Sequence, residues 1–163
     1  PALVPRHPIT EDLPRDAQGM AVLDHGEGAG GDVYALGPGT QVLSYAEGSV
    51  RVAANGFGQG RAVYFSGLPY SEVNSRTLQR AVYWAAGRED LIEEGWWTSD
   101  PHTEIAWYPQ AGRVLVTNNA RQAVRTTVRG QGRTWELEIG AMGCRWVEVE
   151  AGPAGSNGPD DGA

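Results

Sequence analysis

Apolar positions along this chain follow two different rhythms, and the change falls near residues 88–95. Before it, short apolar runs alternate with glycine- and proline-rich stretches. The first twenty residues carry four prolines and little periodicity, which reads as a loop or connector with Thr10-Glu11-Asp12-Leu13 as its one helix-like turn. Segments 21–23 and 33–36 are predicted as two short strands around a flexible glycine cluster at 26–31. Three further strands are predicted at 41–45, 50–53 and 61–65. The last two are joined through Asn55-Gly56-Phe57-Gly58-Gln59-Gly60, a hairpin with a longer loop. Ala62-Val63-Tyr64-Phe65 is apolar on both alternating faces, which predicts a central strand covered on both sides. Leu78, Ala81, Val82 and Ala85 recur at i, i+3, i+4 and i+7, the stripe of an amphipathic helix over 73–86. Ser71 or Asn74 can cap its start and Gly87 can take the left-handed stop. Arg80 and Arg88 suit the negative end of its dipole.

Beyond Gly87 the grammar is that of short strands. Segments 96–99, 104–108, 113–117, 123–129, 134–139 and 144–149 are rich in Val, Thr, Trp and Tyr, and turn residues separate them. Regular short strands of this kind predict a β-sandwich or small barrel. Within 134–139 apolar and polar residues alternate, as in a strand with one wet face. The predicted organisation is therefore an α/β part over residues 1–90 and a small antiparallel β-sandwich over 91–150. A Gly/Pro-rich tail at 151–163 is predicted to be disordered.

Composition narrows the function classes. Twenty acidic residues oppose 13 basic ones, all arginine, for a net charge of −7. Without clustered positive charge the chain is a poor partner for nucleic acid. No apolar run approaches the roughly 20 residues that span a bilayer, so no membrane partner is expected. The single Cys144 cannot form an intramolecular disulfide, which fits a reducing, cytoplasmic setting. The chain starts at Pro1, and is read as an excised piece whose activity belongs to parts outside it.

Each candidate for chemistry competes with a structural reading. Gly26-Glu27-Gly28-Ala29-Gly30-Gly31 satisfies the dinucleotide-binding spelling, but a strand rather than a helix is predicted after it, so it reads as a loop. His7, His25 and His102 lack metal-ligand spacing, and no metal or cofactor is expected. Asp100 and His102 read as a turn in which Asp100 accepts local backbone bonds. Cys144 has no base beside it in sequence and reads as a buried strand cysteine. Trp96, Trp97, Trp107 and Tyr108 offer faces that can stack on sugar. Adjacent strand residues point to opposite faces, so at most one of each pair can join such a platform. If segment 61–65 is a parallel strand leading into the helix, then Ser66, Tyr70, Ser71 and Asn74 stand at the edge where open α/β sheets bind ligands. Helix capping by Ser71 and Asn74 explains the same residues as well.

The residues also resemble a known family. Phe57-Gly58-Gln59-Gly60-Arg61-Ala62-Val63-Tyr64-Phe65-Ser66-Gly67, then Tyr70-Ser71, then Arg80-Ala81-Val82-Tyr83-Trp84-Ala85-Ala86-Gly87-Arg88-Glu89 are similar to the middle domain of 1,3-β-galactosyl-N-acetylhexosamine phosphorylases, also called lacto-N-biose or galacto-N-biose phosphorylases. Thr98-Ser99-Asp100-Pro101-His102-Thr103-Glu104, Tyr108-Pro109 and Val116-Thr117-Asn118-Asn119 resemble the start of that family's C-terminal β-domain. The likeness runs from about His7 to Val149. Its first stretch alone also resembles amidotransferase-like domains of β-galactosidases, and the ordered series across both parts adds specificity.

The resemblance implies a parent with a (β/α)-barrel, an amidotransferase-like α/β domain and a small β-domain. That parent would split a β-1,3-galactosyl-N-acetylhexosamine with phosphate, giving α-galactose 1-phosphate. The catalytic acid and most sugar contacts would lie on the barrel, so no catalytic residue is assigned here. A galactosyl-rhamnose substrate, a β-galactosidase parent and a carbohydrate-binding β-module using Trp96, Trp97 or Trp107 remain alternatives. A partial sheet would expose an edge that invites pairing, and a homodimer is expected.

Overall fold

A computed structural model describes residues 1–27 and 36–149. The predicted strand at 33–36 lies outside these except for Leu36, as do most of the glycine cluster and the tail at 151–163. The chain divides into two compact units, residues 1–95 and Trp96 onward. The architecture is α/β followed by an antiparallel β-sandwich.

The first unit holds a four-stranded sheet in the order β1 (Ala2–Leu3), β2 (Gln41–Ala46), β3 (Ser49–Phe57), β4 (Gly60–Phe65). β1 runs parallel to β2, and the other pairs are antiparallel. Two-residue turns close both hairpins. Glu47 and Gly48 take positive φ between β2 and β3, as the right-handed strand twist favours. Gly58 takes φ +57 between β3 and β4. β3 continues through Asn55 to Phe57, so the longer loop expected there is replaced by a tight turn at Gly58-Gln59. Among the described residues β4 is an edge strand antiparallel to β3, not a central strand or a parallel one.

Val52 and Ala54 of β3 and Val63 and Phe65 of β4 face one side, where Ala81 and Trp84 of helix α1 (Glu72–Ala85) pack against them. The helix ends in the predicted way. Gly87 takes φ +68, its N–H reaches Trp84 O at 3.0 Å, and the Arg88 N–H reaches Tyr83 O at 2.8 Å. A short helix α2 (Asp90–Glu93) follows.

Two expectations are corrected here. The first twenty residues are not a connector, since Ile9, Thr10, Leu13 and Met20 are buried, with a 3-10 turn at Pro8–Thr10. Segment 21–23 is not a strand; Ala21 makes one isolated bridge to Arg15, and Leu23 enters the core.

The second unit contains two three-stranded antiparallel sheets. One orders β5 (Trp97–Thr98), β8 (Val124–Gly130), β9 (Arg133–Ile139), and the other β10 (Cys144–Glu148), β7 (Arg113–Asn118), β6 (Thr103–Tyr108). Every strand predicted after Gly87 forms. Alternation explains the core: Val114, Val116, Val124, Val128, Ile139 and Val147 point inward. Glu136 and Glu138 point outward from β9, where Thr127 Oγ1 donates to Glu136 at 2.8 Å and Arg125 pairs with Glu138 at 3.1 Å. No helix among the described residues is long and apolar enough to cross a membrane.

Candidate functional site

The segment joining β4 to α1 was the expected cleft. Ser71 is the helix N-cap, and its Oγ accepts the Asn74 N–H at 3.1 Å. Asn74 is buried to 1% exposure, and its Nδ2 donates to Asp24 O at 2.9 Å and Pro69 O at 2.8 Å. It therefore ties the helix start to two loops. The buried Asn74 Oδ1 and Ser66 Oγ have no hydrogen-bond partner among the described residues, an arrangement that costs about 1–3 kcal/mol per atom. Tyr70 stands apart, 90% exposed. Because β4 is antiparallel, this segment is not the carboxyl edge of a parallel sheet, and the topological argument for a cleft falls away. What brings Ser71 and Asn74 together is the cap.

His25 lies beside this corner, its Nδ1 3.3 Å from Gly67 O, and burial lowers its pKa. His7 caps the 3-10 turn by accepting the Ile9 N–H at 3.2 Å and meets Trp84 edge-on at 5.2 Å. Burial lowers its pKa as well.

In the β-unit, two of the three candidate stacking tryptophans turn inward. Trp96 packs between Trp107, at 5.3 Å between ring centroids, and Trp135, at 5.7 Å, against the valine core. Gly130 permits this, since a Cβ there would lie 2.3 Å from the Trp96 ring. Trp97 is half-buried, with the Arg129 guanidinium 4.9 Å from its ring centroid. The platform geometry expected of Trp96 and Trp107 is thus taken up by packing.

Tyr108, next to Trp107 on β6, points the other way as strand alternation requires. It is 44% exposed and lies 5.4 Å from Trp146, itself 52% exposed. Sequence reasoning missed Trp146; the available signal was the alternation of β10, in which Cys144, Trp146 and Glu148 share a face opposite Val147. Cys144 on that face is exposed, not buried as expected.

Asp100 Oδ1 accepts the His102 N–H at 2.8 Å and lies 3.0 Å from its Nδ1, a local turn of the expected kind. No group of three or more His, Cys, Asp and Glu among the described residues is arranged to hold a metal ion.

These units define a two-part protein, an α/β part followed by a β-sandwich. Residues 3–90 match the family model of the lacto-N-biose phosphorylase central domain, and residues 96–147 that of the lacto-N-biose phosphorylase C-terminal domain. The chain belongs to the lacto-N-biose phosphorylase family. It is 38% identical over 147 residues to a 1,3-β-galactosyl-N-acetylhexosamine phosphorylase of Lachnoclostridium phytofermentans, covering 90% of this chain and 19% of that protein. It is 32% identical over 173 residues to the 1,3-β-galactosyl-N-acetylhexosamine phosphorylase of Bifidobacterium longum subsp. longum, covering 91% of this chain and 23% of that one. A D-galactosyl-β-1→4-L-rhamnose phosphorylase of L. phytofermentans is 28% identical over 137 residues, covering 84% of this chain and 18% of that relative. The chain thus spans about a fifth of the length of these curated relatives.

Proposed function

We propose that this chain is the C-terminal portion of a phosphorylase that converts a β-1,3-galactosyl-N-acetylhexosamine and phosphate into α-galactose 1-phosphate and N-acetylhexosamine. The observation that carries this reading is the ordered match of both family domains along one chain. The chain's own role is support of the parent's fold and of subunit assembly. Catalysis belongs to the N-terminal (β/α)-barrel, where a carboxylic acid protonates the leaving oxygen as phosphate attacks the opposite face of the anomeric carbon.

The α/β unit is read as the later part of an amidotransferase-like domain, and the compartment as the cytoplasm, where a lone cysteine is at home. A homodimer is favoured by β4, a six-residue strand that ends the sheet among the described residues.

Incubating the purified chain with phosphate and lacto-N-biose and assaying galactose 1-phosphate tests the division of labour. No product is expected. Measurable turnover overturns the non-catalytic role, and the same assay on the full-length parent, with galactosyl-rhamnose as competing substrate, tests the parent's activity separately.

A further inference from the structure

The outward face of sheet β10–β7–β6 is built from cross-strand rows. Tyr108, Arg113 and Glu148 form one row, and Ala106, Leu115 and Trp146 the next. Tyr108 and Trp146 stand on the two outer strands in adjacent rows, and their rings meet across β7 at 5.4 Å and 57°. They form a shallow V with the half-buried Leu115 between them. Beside Tyr108, Arg113 Nε lies 3.0 Å from Glu148 and both side chains are exposed. The five tryptophans of the β-unit thus divide: Trp96, Trp107 and Trp135 pack together, Trp97 lies against Arg129, and Trp146 is left outside with Tyr108.

This chemistry is two-sided. A flat indole with a second ring at its flank offers apolar area, and a guanidinium–carboxylate pair at one end offers donors and acceptors side by side. A pyranose has the complementary form, an apolar face of C–H groups with hydroxyls around its rim. In β-galactopyranosides the axial O4 leaves the opposite face clear, so the hydrogens of C3, C4, C5 and C6 make one continuous apolar patch. We propose that this face binds a β-galactopyranoside, its apolar face on Trp146 and flanked by Tyr108, its rim hydroxyls bonded to the Arg113–Glu148 pair. Size suits a small saccharide: the nine-residue face spans roughly 14 Å along the strands and about 10 Å across them, a footprint for one or two pyranose rings. The inference is independent of where catalysis resides.

Indole N–H resonances of the ¹⁵N-labelled 163-residue chain provide the test, with the Trp146 signal assigned through Trp146→Phe and lactose as the probe. That signal is expected to move progressively and saturate at millimolar lactose, and to move less with cellobiose. Trp146→Ala and, separately, Tyr108→Ala are expected to weaken lactose binding roughly tenfold or more, followed by calorimetry, with unchanged thermal midpoints. A Trp146 resonance that stays still through tens of millimolar lactose overturns the site. Equal response to cellobiose overturns the galactoside assignment. Self-association of the chain that Trp146→Ala abolishes overturns the saccharide as occupant, by showing that the face is covered by a second copy.

Discussion

Asn118 is fully buried with its carboxamide saturated. Its Nδ2 donates to Gln122 O at 2.8 Å, Gly140 O at 2.9 Å and Ile139 O at 3.2 Å, and its Oδ1 accepts the Ala120 N–H at 2.8 Å. One side chain therefore organises the turn after β7 and the end of β9. Asn118→Ala leaves those backbone groups unpaired and is expected to cost about 3 kcal/mol, read as a lower urea midpoint at unchanged slope. Gly130→Ala meets the rigid Trp96 ring, and a loss of about 1–3 kcal/mol is expected from overpacking, with altered near-ultraviolet circular dichroism from the tryptophan cluster. His7 adds a pH dependence. Burial holds its imidazole below the ordinary 6.5, so the unfolded chain takes up a proton at higher pH than the folded one. Its contribution to stability is complete above pH 6.5 and falls as the pH drops through that value toward the lower folded one; His25 shifts in the same direction. His7→Asn, which retains a capping side chain, should lose less stability than the unaltered chain between about pH 7 and pH 5.5 in urea titrations.

Helix α1 carries the main lesson at the scale of elements. Periodicity locates it to within a residue, since predicted 73–86 becomes Glu72–Ala85. The stripe assigned to its core is only half right: Ala81 is buried, but Leu78 is 47% and Val82 57% exposed. The buried face is instead Asn74, Thr77, Arg80 and Ala81. Polar residues occupy it because backbone partners wait there. Arg80 Nε donates to Pro8 O at 2.6 Å and its guanidinium pairs with Asp12 at 2.8 Å, fastening the N-terminal segment onto the helix. A pattern that counts apolar residues cannot see that clamp, because its acceptors lie about seventy positions away. Arg80→Met is expected to cost about 3 kcal/mol by removing the bonds to Pro8 O and Asp12, with faster amide exchange over residues 8–14. The β-unit was more legible: strand alternation between close turns fixes the location of each strand, and that Trp107 and Tyr108 point to opposite faces follows from the pleat alone. Which aromatic stays exposed still depends on the neighbouring strand, and Trp146 is recognised as a partner of Tyr108 only once β7 is placed between them.

For the molecule as a whole, the exposed strand β4 deserves an assembly test. Its sequence is that of a strand covered on both faces, yet Ala62 and Tyr64 are exposed at the edge of the sheet. Ala62→Lys places a charge on that edge and is expected to weaken self-association several-fold in sedimentation velocity; association insensitive to it would locate the contact elsewhere. The sequence by itself determined the fold class, the strands of the β-sandwich, the span and caps of α1 and, through its motif series, the family, because these depend on local periodicity, turn chemistry and residue identity. Tertiary structure decided that β4 lies at an edge and antiparallel, that the N-terminal segment is core, that Trp96 and Trp107 are packed and that Trp146 joins Tyr108. Those outcomes depend on which distant segments meet, and pairing energies between distant segments leave no periodic trace in either segment alone.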